Sequence, residues 1–580
     1  MKKYFFLSLG IVVSFLLLPF KATAATIALD ASWAEQTLST MTLEQKIGQL
    51  FMVAAVSDEQ EHEQLLKTHP YFSAQHNVYK MDRNTIEQLI SNYHIGGIIF
   101  LSVSTPEKQI MRTKEYQNLS KIPLLIAQDL ESGISMPRLH KFIQFPTAMT
   151  LGALQDEQLI YDMAYALGKQ AQELGVHCVL GPVVDVNNNP ENPVIHNRSF
   201  GQDPVAVARK GILYMQGLHD AGIISCAKHF PGHGDTATDS HLRLPCITHS
   251  REQLDTVELH PFKELIKAGV PTVMVAHLEA PALESQPGIP VSLSPNVVTE
   301  LLKKELGFTG LVMPDGLGMQ AVLKQHAPGD LELAALLAGH DILLCPVDVP
   351  KAVERIQQAL ADGRITQQDL NNRVLKILRA KAWACTKNKM SLTPTFNHSH
   401  FYKPDLFELK KRLYQDAVTL VRNDHNLMPV KPDASVSYLQ VGGKAANNCA
   451  NLLYQQGITL QYYVPAQPMD YHVEHIRTSL QNSSTIIISI CDMNKAKESV
   501  INGQSNNYGI AARTQQLIEL LQKDGKNIII LLFGSPYSIT LFKTIPAVIM
   551  AYEDDPDAQE AAAQVLLGIM QAQGQLPVTP

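Results

Sequence analysis

A (β/α)8 TIM-type barrel followed by a smaller doubly wound α/β sandwich domain is the fold the sequence predicts, and three features predict it. Eight short apolar runs alternate with helical stretches between Ile47 and Leu360, the count and spacing of a barrel with insertions. Ionisable residues gather at the C-terminal ends of several of those runs, where barrels carry their chemistry. Past residue 406 the alternation of strand and helix resumes on a smaller scale, as a second α/β unit would.

The chain of 580 residues opens with Met1-Lys2-Lys3, an apolar run from Tyr4 to Phe20, and Ala22-Thr23-Ala24 before Ala25. A basic start, an apolar stretch at the short limit for a membrane span and an A-x-A site read as a secretory signal over residues 1–24. The expectation is export, to a periplasm or out of the cell, with no stable membrane insertion once the signal is removed. What remains is too long for one core. A net charge of −7 with mixed signs argues against nucleic acid or an anionic membrane as partner. The seven cysteines (Cys178, Cys226, Cys246, Cys345, Cys385, Cys449 and Cys491) are odd in number and show no C-x-x-C spacing. Several lie inside apolar runs as small core residues, so no disulfide framework is expected.

The eight apolar runs are Ile47 to Ala55, Ile95 to Leu101, Pro123 to Asp129, His177 to Val186, Ile223 to His229, Pro271 to His277, Gly310 to Asp315 and His340 to Pro346. Helical signals separate them: Thr42 with Glu44 and Gln45 at a helix start, then Asp156 to Leu174, Pro204 to Ala221, Arg251 to Ala268, Pro295 to Leu306 and Pro350 to Leu360. The barrel is assigned to residues 25–385. Periodicity fails over 386–406, where two prolines and His398-Ser399-His400 mark a linker. In 407–580, strands are expected at Val436 to Val441, Leu460 to Val464, Thr485 to Ile490, Asn527 to Phe533 and Ala547 to Ala551, with helices at Ala445 to Gln455, Ala511 to Lys523 and Pro556 to Met570. Gly442 and Gly443 follow the first of these strands without completing G-x-G-x-x-G, so no nucleotide cofactor is indicated.

The strand ends carry Asp129 with Glu131, Asp185, Lys228 with His229, His277 and Asp315. Residues 226–245 are the densest stretch in chemistry-bearing side chains: Lys228 and His229 close a strand, Pro231, Gly232 and Gly234 turn the chain, and Asp239 and His241 follow two apart. In extended backbone, positions i and i+2 face the same way, so the Asp239 carboxylate can hold the His241 imidazole and favour its protonated, acid-ready form. Most loop histidines are solvated or structural. Zinc is a weaker reading, because the spacing of His229, His233, Asp235 and His241 matches no helical H-E-x-x-H or C-x-x-C pattern. No metal is expected.

At these motifs the chain resembles the glycoside hydrolase family 3 β-N-acetylglucosaminidases. Residues 228–236, Lys-His-Phe-Pro-Gly-His-Gly-Asp-Thr, with Asp239-Ser240-His241 resemble that family's acid/base loop. Val312-Met313-Pro314-Asp315-Gly316-Leu317-Gly318-Met319 is similar to its nucleophile motif, and Asn197-Arg198-Ser199-Phe200-Gly201 and Asp129-Leu130-Glu131 to its substrate-binding segments. Val418 to Asn423 and Gly574 to Val578 are similar to two-domain members. The resemblance implies a retaining exo-acting hydrolase of terminal β-linked GlcNAc, acting on a GlcNAc-containing glycan or muropeptide such as peptidoglycan fragments, without a cofactor. It implies Asp315 as nucleophile, His241 as acid and then base oriented by Asp239, and Asp129, Arg138, Arg198, Lys228 and His229 as binders of the terminal sugar. The chain departs from the pattern at Glu131-Ser132-Gly133-Ile134-Ser135, where many relatives read Glu-Gly-Gly-Arg-Val, and at Pro314 and Gly316 beside the nucleophile. A β-glucosidase with Glu498 as acid, a phosphorolytic variant and a catalytically silent glycan-binding protein remain as alternatives.

Overall fold

The computed structural model describes residues 31–68, 81–101, 105–133, 143–236, 244–324, 326–388, 403–433, 435–444, 447–491, 493 and 507–580. Eight strands, β1 (Phe51–Ala55), β2 (Gly97–Phe100), β3 (Leu125–Gln128), β4 (Cys178–Val179), β5 (Ile224–Phe230), β6 (Thr272–Val275), β7 (Leu311–Pro314) and β8 (Leu343–Leu344), match the eight apolar runs one for one, seven falling inside their runs and β5 extending one residue past its run, to Phe230. They form one sheet in the order β7-β6-β5-β4-β3-β2-β1-β8, parallel at every ladder. Every strand residue is buried, which is why these strands read as continuous apolar runs rather than alternating ones. Asp341 helps to draw β7 and β8 together: its N–H donates to the Val312 carbonyl at 2.7 Å, and its Oδ2 accepts the Val312 N–H at 2.9 Å. The barrel the sequence predicts is present and nearly closed.

The helices follow their signals with two local departures. Thr42 caps Leu43–Gly48 in a capping box with Gln45. The stretch expected as one helix from Arg251 to Ala268 is two, Arg251–Thr256 and His260–Lys267, and the one after Pro295 is π-helical over Asn296–Glu305. The helix Gln367–Asn388 runs into the span read as a linker, and the helix Pro404–Ala417 begins inside it.

The second sheet contains β9 (Thr419–Asn423), β10 (Val436–Val441), β11 (Leu460–Val464), β12 (Thr485–Ile490), β13 (Asn527–Leu532) and β14 (Ala547–Met550). Its order is β11-β10-β12-β13-β14-β9. Five of the strands are parallel and sit where the apolar runs placed them. The sixth, β9, pairs antiparallel with β14 and makes the sheet mixed. All seven cysteines are free thiols. Among the described residues no helix is long and apolar enough to cross a membrane.

The two domains are bonded along the chain's C-terminal segment. Gln575 N–H donates to the Ala153 carbonyl at 3.0 Å and Gln202 N–H to the Pro577 carbonyl at 3.0 Å. Gly201 lies so close to this segment that a Cβ there would stand 2.4 Å from the Pro577 carbonyl oxygen. The most heavily bonded side chain at the junction is Glu553, whose Oε1 accepts from Thr147 N–H at 2.7 Å, Thr147 Oγ1 at 2.9 Å and Thr150 Oγ1 at 2.5 Å. A carboxylate from the second domain thus caps the barrel helix Ala148–Gly152. Burial raises its pKa despite those donors. Its raised folded value means that it adds stability below its unfolded value of about 4.3 and loses that increment as pH rises through the folded value. Glu553→Ala is therefore expected to lower stability by about 2 kcal/mol by orphaning buried donors. Glu553→Gln keeps an acceptor and should stay within about 1 kcal/mol of wild type at pH 7, with wild type gaining on it as pH falls toward 4 in paired thermal melts.

Candidate active site

Four charged side chains meet at the C-terminal ends of β3 to β5. Lys228, near the end of β5, is 2% exposed and sends Nζ to Asp129 Oδ1 at 2.7 Å and Glu131 Oε1 at 2.8 Å. Arg198, which ends the short helical turn His196–Arg198, grips Glu131 at both oxygens: Nε to Oε2 at 2.9 Å and Nη2 to Oε1 at 2.6 Å. Burial alone would raise the Glu131 carboxyl, but the Arg198 and Lys228 cations outweigh it and hold it well below the usual carboxylate range. Burial works against the Arg198 and Lys228 cations too, and their carboxylate partners reverse it, raising both. Two anions and two cations make a neutral, pre-ordered quartet, with Asp129 its more open member, its side chain 37% exposed.

His229 stands beside the quartet on a buried carboxylate. Asp185 Oδ2 accepts a hydrogen bond from His229 Nδ1–H at 2.7 Å, while Oδ1 accepts the backbone N–H groups of His229 at 3.1 Å and His233 at 2.7 Å. That leaves His229 Nε2 facing Arg198 Nη2 at 3.4 Å. Burial would raise Asp185, and its contact with His229 outweighs this and lowers it. The turn that follows is held from the other side: Asn192 Nδ2 donates to the carbonyls of His233 at 2.8 Å and Gly234 at 2.9 Å. Only glycine fits at Gly234, where a Cβ would stand 1.8 Å from the Val186 carbonyl oxygen.

Asp315 emerges from β7 with its N–H on the Val275 carbonyl at 2.9 Å and its Oδ1 accepting the Gly316 N–H at 2.8 Å. It shares the barrel mouth with the quartet. Burial pushes the Cys345 thiol up, and the charges of both Asp129 and Asp315 push it further. His277, at the end of β6, is fully buried and braces this rim: its Nε2–H donates to the Gly316 carbonyl at 3.2 Å while its Nδ1 accepts from Ser292 Oγ at 2.7 Å.

Of the residues singled out in the sequence, the fold brings together Asp129, Arg198, Lys228, His229 and Asp315. Arg138, Asp239, His241 and Glu498 lie outside the described residues. The described members of the weighed zinc set are engaged separately: His229 with Asp185, His233 Nδ1 with Thr236 Oγ1 at 2.8 Å, and Asp235 with His249 Nε2 at 2.6 Å. Burial lowers the His233 pKa to about 4. Among the described residues no group of three or more histidine, cysteine or carboxylate side chains is placed to hold a metal ion. Sequence reasoning noted Asp185 only as a strand-end carboxylate and Glu131 only as that and as part of a segment resembling a substrate-binding one, and missed the bonds of both; it missed Asn192 entirely.

Comparison with known proteins shows the family. Residues 42–380 match the glycosyl hydrolase family 3 N-terminal domain and residues 418–580 the family's C-terminal domain. Beta-hexosaminidase A of Pseudoalteromonas piscicida is 30% identical over 550 residues, 85% of this chain and 90% of that protein. The beta-N-acetylglucosaminidase/beta-glucosidase of Cellulomonas fimi is 27% identical over 73% of each chain. The solved family 3 beta-N-acetylglucosaminidase of Paenibacillus sp. superposes with a TM-score of 0.76 at 30% identity, covering 93% of this chain and 99% of that one. A beta-glucoside phosphorylase at 20% identity and a TM-score of 0.77 shares the fold. With both domain matches in order along most of its length, this chain belongs to glycosyl hydrolase family 3 and is a glycoside hydrolase.

Proposed function

We propose that the chain is a retaining exo-β-N-acetylglucosaminidase that removes terminal β-linked GlcNAc. The observation that carries this reading is the placement of the Asp315 carboxylate at the same barrel mouth as the Asp129, Glu131, Lys228 and Arg198 quartet. Such a quartet offers both donors and acceptors to the hydroxyls of one sugar, and the carboxylate supplies a nucleophile. Asp315 attacks the anomeric carbon as the bond to the leaving oxygen breaks, and His241, steadied by Asp239, gives that oxygen its proton. Water then attacks the same carbon, His241 takes the water's proton, and the bond to Asp315 breaks. An imidazole donor differs from the usual second carboxyl in not repelling the nucleophile's charge. Lys2, Lys3, the apolar run and Ala22-Thr23-Ala24 support export to a periplasm or medium. Peptidoglycan fragments, with GlcNAc linked to a muramic sugar, and oligomers of GlcNAc alone both present the required bond.

Side-by-side release of p-nitrophenol from the β-GlcNAc and β-glucose glycosides tests the activity, and a faster glucoside would overturn it. For the acid, His241→Ala is expected to slow a GlcNAc disaccharide by about 10²–10⁴-fold, while a 2,4-dinitrophenyl glycoside, whose leaving group needs no proton, should slow much less in its bond-breaking step. Equal losses in that step would remove His241 from the role.

A further inference from the structure

The second domain supplies one wall of a cavity of about 270 Å³ that lies between the two domains. The opposite wall is the barrel segment 190–197, and the next residue along the chain is Arg198 of the quartet. Consecutive Cα atoms are about 3.8 Å apart, so the cavity adjoins the mouth. The same wall contains Asn192, which holds the carbonyls of His233 and Gly234. Ligand sites for drug-sized molecules run from about 300 to 1,000 Å³, so this space suits roughly a single ring. Its lining mixes apolar groups, such as Met149, Pro193 and Met493, with hydroxyl, amide and carboxylate groups: Ser535, Tyr508 and Tyr552 come from the second domain and Asn197 from the barrel. The ionisable acids there are Glu191, exposed at the rim, and Glu553, already bonded by Thr147 and Thr150. Among the described lining residues there is no lysine or arginine, and the one basic ring, His196, faces Ser535 Oγ at 3.2 Å.

We propose that this cavity receives the leaving-group sugar and selects an uncharged one, so that the second domain makes the enzyme prefer neutral GlcNAc oligomers to muramic disaccharides. The inference rests on the β-N-acetylglucosaminidase reading. A muramic sugar carries a lactyl carboxylate, which would enter a space with no lysine or arginine among its described lining residues and with the exposed Glu191 on its wall. Desolvating a carboxylate without a partner is unfavourable, and a like charge nearby adds to the cost. A neutral acetamido sugar needs only the hydroxyl and amide partners the walls present, and tyrosine rings suit the apolar face of a pyranose.

The test compares three substrates on the full chain: p-nitrophenyl β-GlcNAc, the β-1,4 disaccharide of GlcNAc, and GlcNAc-β-1,4-MurNAc. Wild type is expected to show kcat/KM about tenfold or more higher for the neutral disaccharide than for the muramic one, tenfold being about 1.4 kcal/mol. Ser535→Trp, which fills the second-domain wall, should lower kcat/KM for the neutral disaccharide about tenfold more than for the aryl glycoside. Glu191→Lys, an exposed change that puts a cation at the entrance, should narrow the gap between the two disaccharides by about fivefold. A wild-type preference for the muramic substrate overturns the proposal. So do a Ser535→Trp loss that is equal on disaccharide and aryl substrate and a Glu191→Lys ratio that does not move. Absence of any activity on the aryl β-GlcNAc would instead overturn the functional reading itself.

Discussion

Replacing Asp315 with asparagine is expected to cut hydrolysis of p-nitrophenyl β-GlcNAc by about 10⁴-fold or more, the scale of losing a group that forms a covalent bond to substrate. The amide cannot attack the anomeric carbon, and it carries no negative charge to stabilise the oxocarbenium-like transition state. Its carbonyl oxygen can still take the Gly316 N–H that Asp315 Oδ1 accepts at 2.8 Å. The strand end that positions it is held independently, through the Asp315 N–H on Val275 and through His277 on the Gly316 carbonyl. The variant should therefore melt close to wild type and bind product with little change, so that the loss appears in kcat rather than in KM. Residual turnover within about tenfold of wild type, in enzyme free of wild-type contamination, would show that another group carries the covalent step.

The same positional logic explains what could be read from the chain without its coordinates. Parallel strands covered on both faces must be apolar throughout, so even β4 and β8, each two residues long, stood out inside runs such as His177 to Val186 and His340 to Pro346. The edge strand β9 did not. Leu420 faces outward and Arg422 spends its guanidinium on the carbonyls of Phe542, Lys543 and Ile545, so Thr419 to Asn423 carries no apolar signature. The helix Asp470–Ser479 was equally quiet, because only Val473 and Ile476 among its residues are buried.

In the site, Asp129, Lys228 and Asp315 were legible because barrel chemistry gathers at strand ends. The partnership of Glu131 with Arg198 joins residues 67 apart in sequence, and that of Asp185 with His229 joins residues 44 apart. No local spacing encodes such pairs. The same holds for the second domain's contribution: Ser535 and Glu553 carry no motif and acquire meaning only where the fold sets them against His196 and Thr147.

Glu131→Ala is the substitution expected to cost the most stability, about 3–5 kcal/mol, because it strips the shared carboxylate from two largely buried cations. Lys228 would keep Asp129 as a partner, but Arg198 would lose both charge-assisted bonds, at 2.6 and 2.9 Å. Glu131→Gln is the sharper probe, since it preserves shape and removes only the charge. The folded pKa of Glu131 is depressed by Arg198 and Lys228. Its stabilising contribution is thus fully present above the unfolded carboxyl value of about 4.3 and is lost as pH falls through the folded value. The gap between wild type and Glu131→Gln in urea denaturation should be constant from pH 8 to about pH 5, then begin to close below about pH 4. Activity should fall with it at neutral pH, because Lys228 and Arg198 are then no longer held in register for the sugar. A gap below about 1 kcal/mol at pH 7 would mean that the quartet's charges are screened like surface pairs, and that it owes its order to packing rather than to charge.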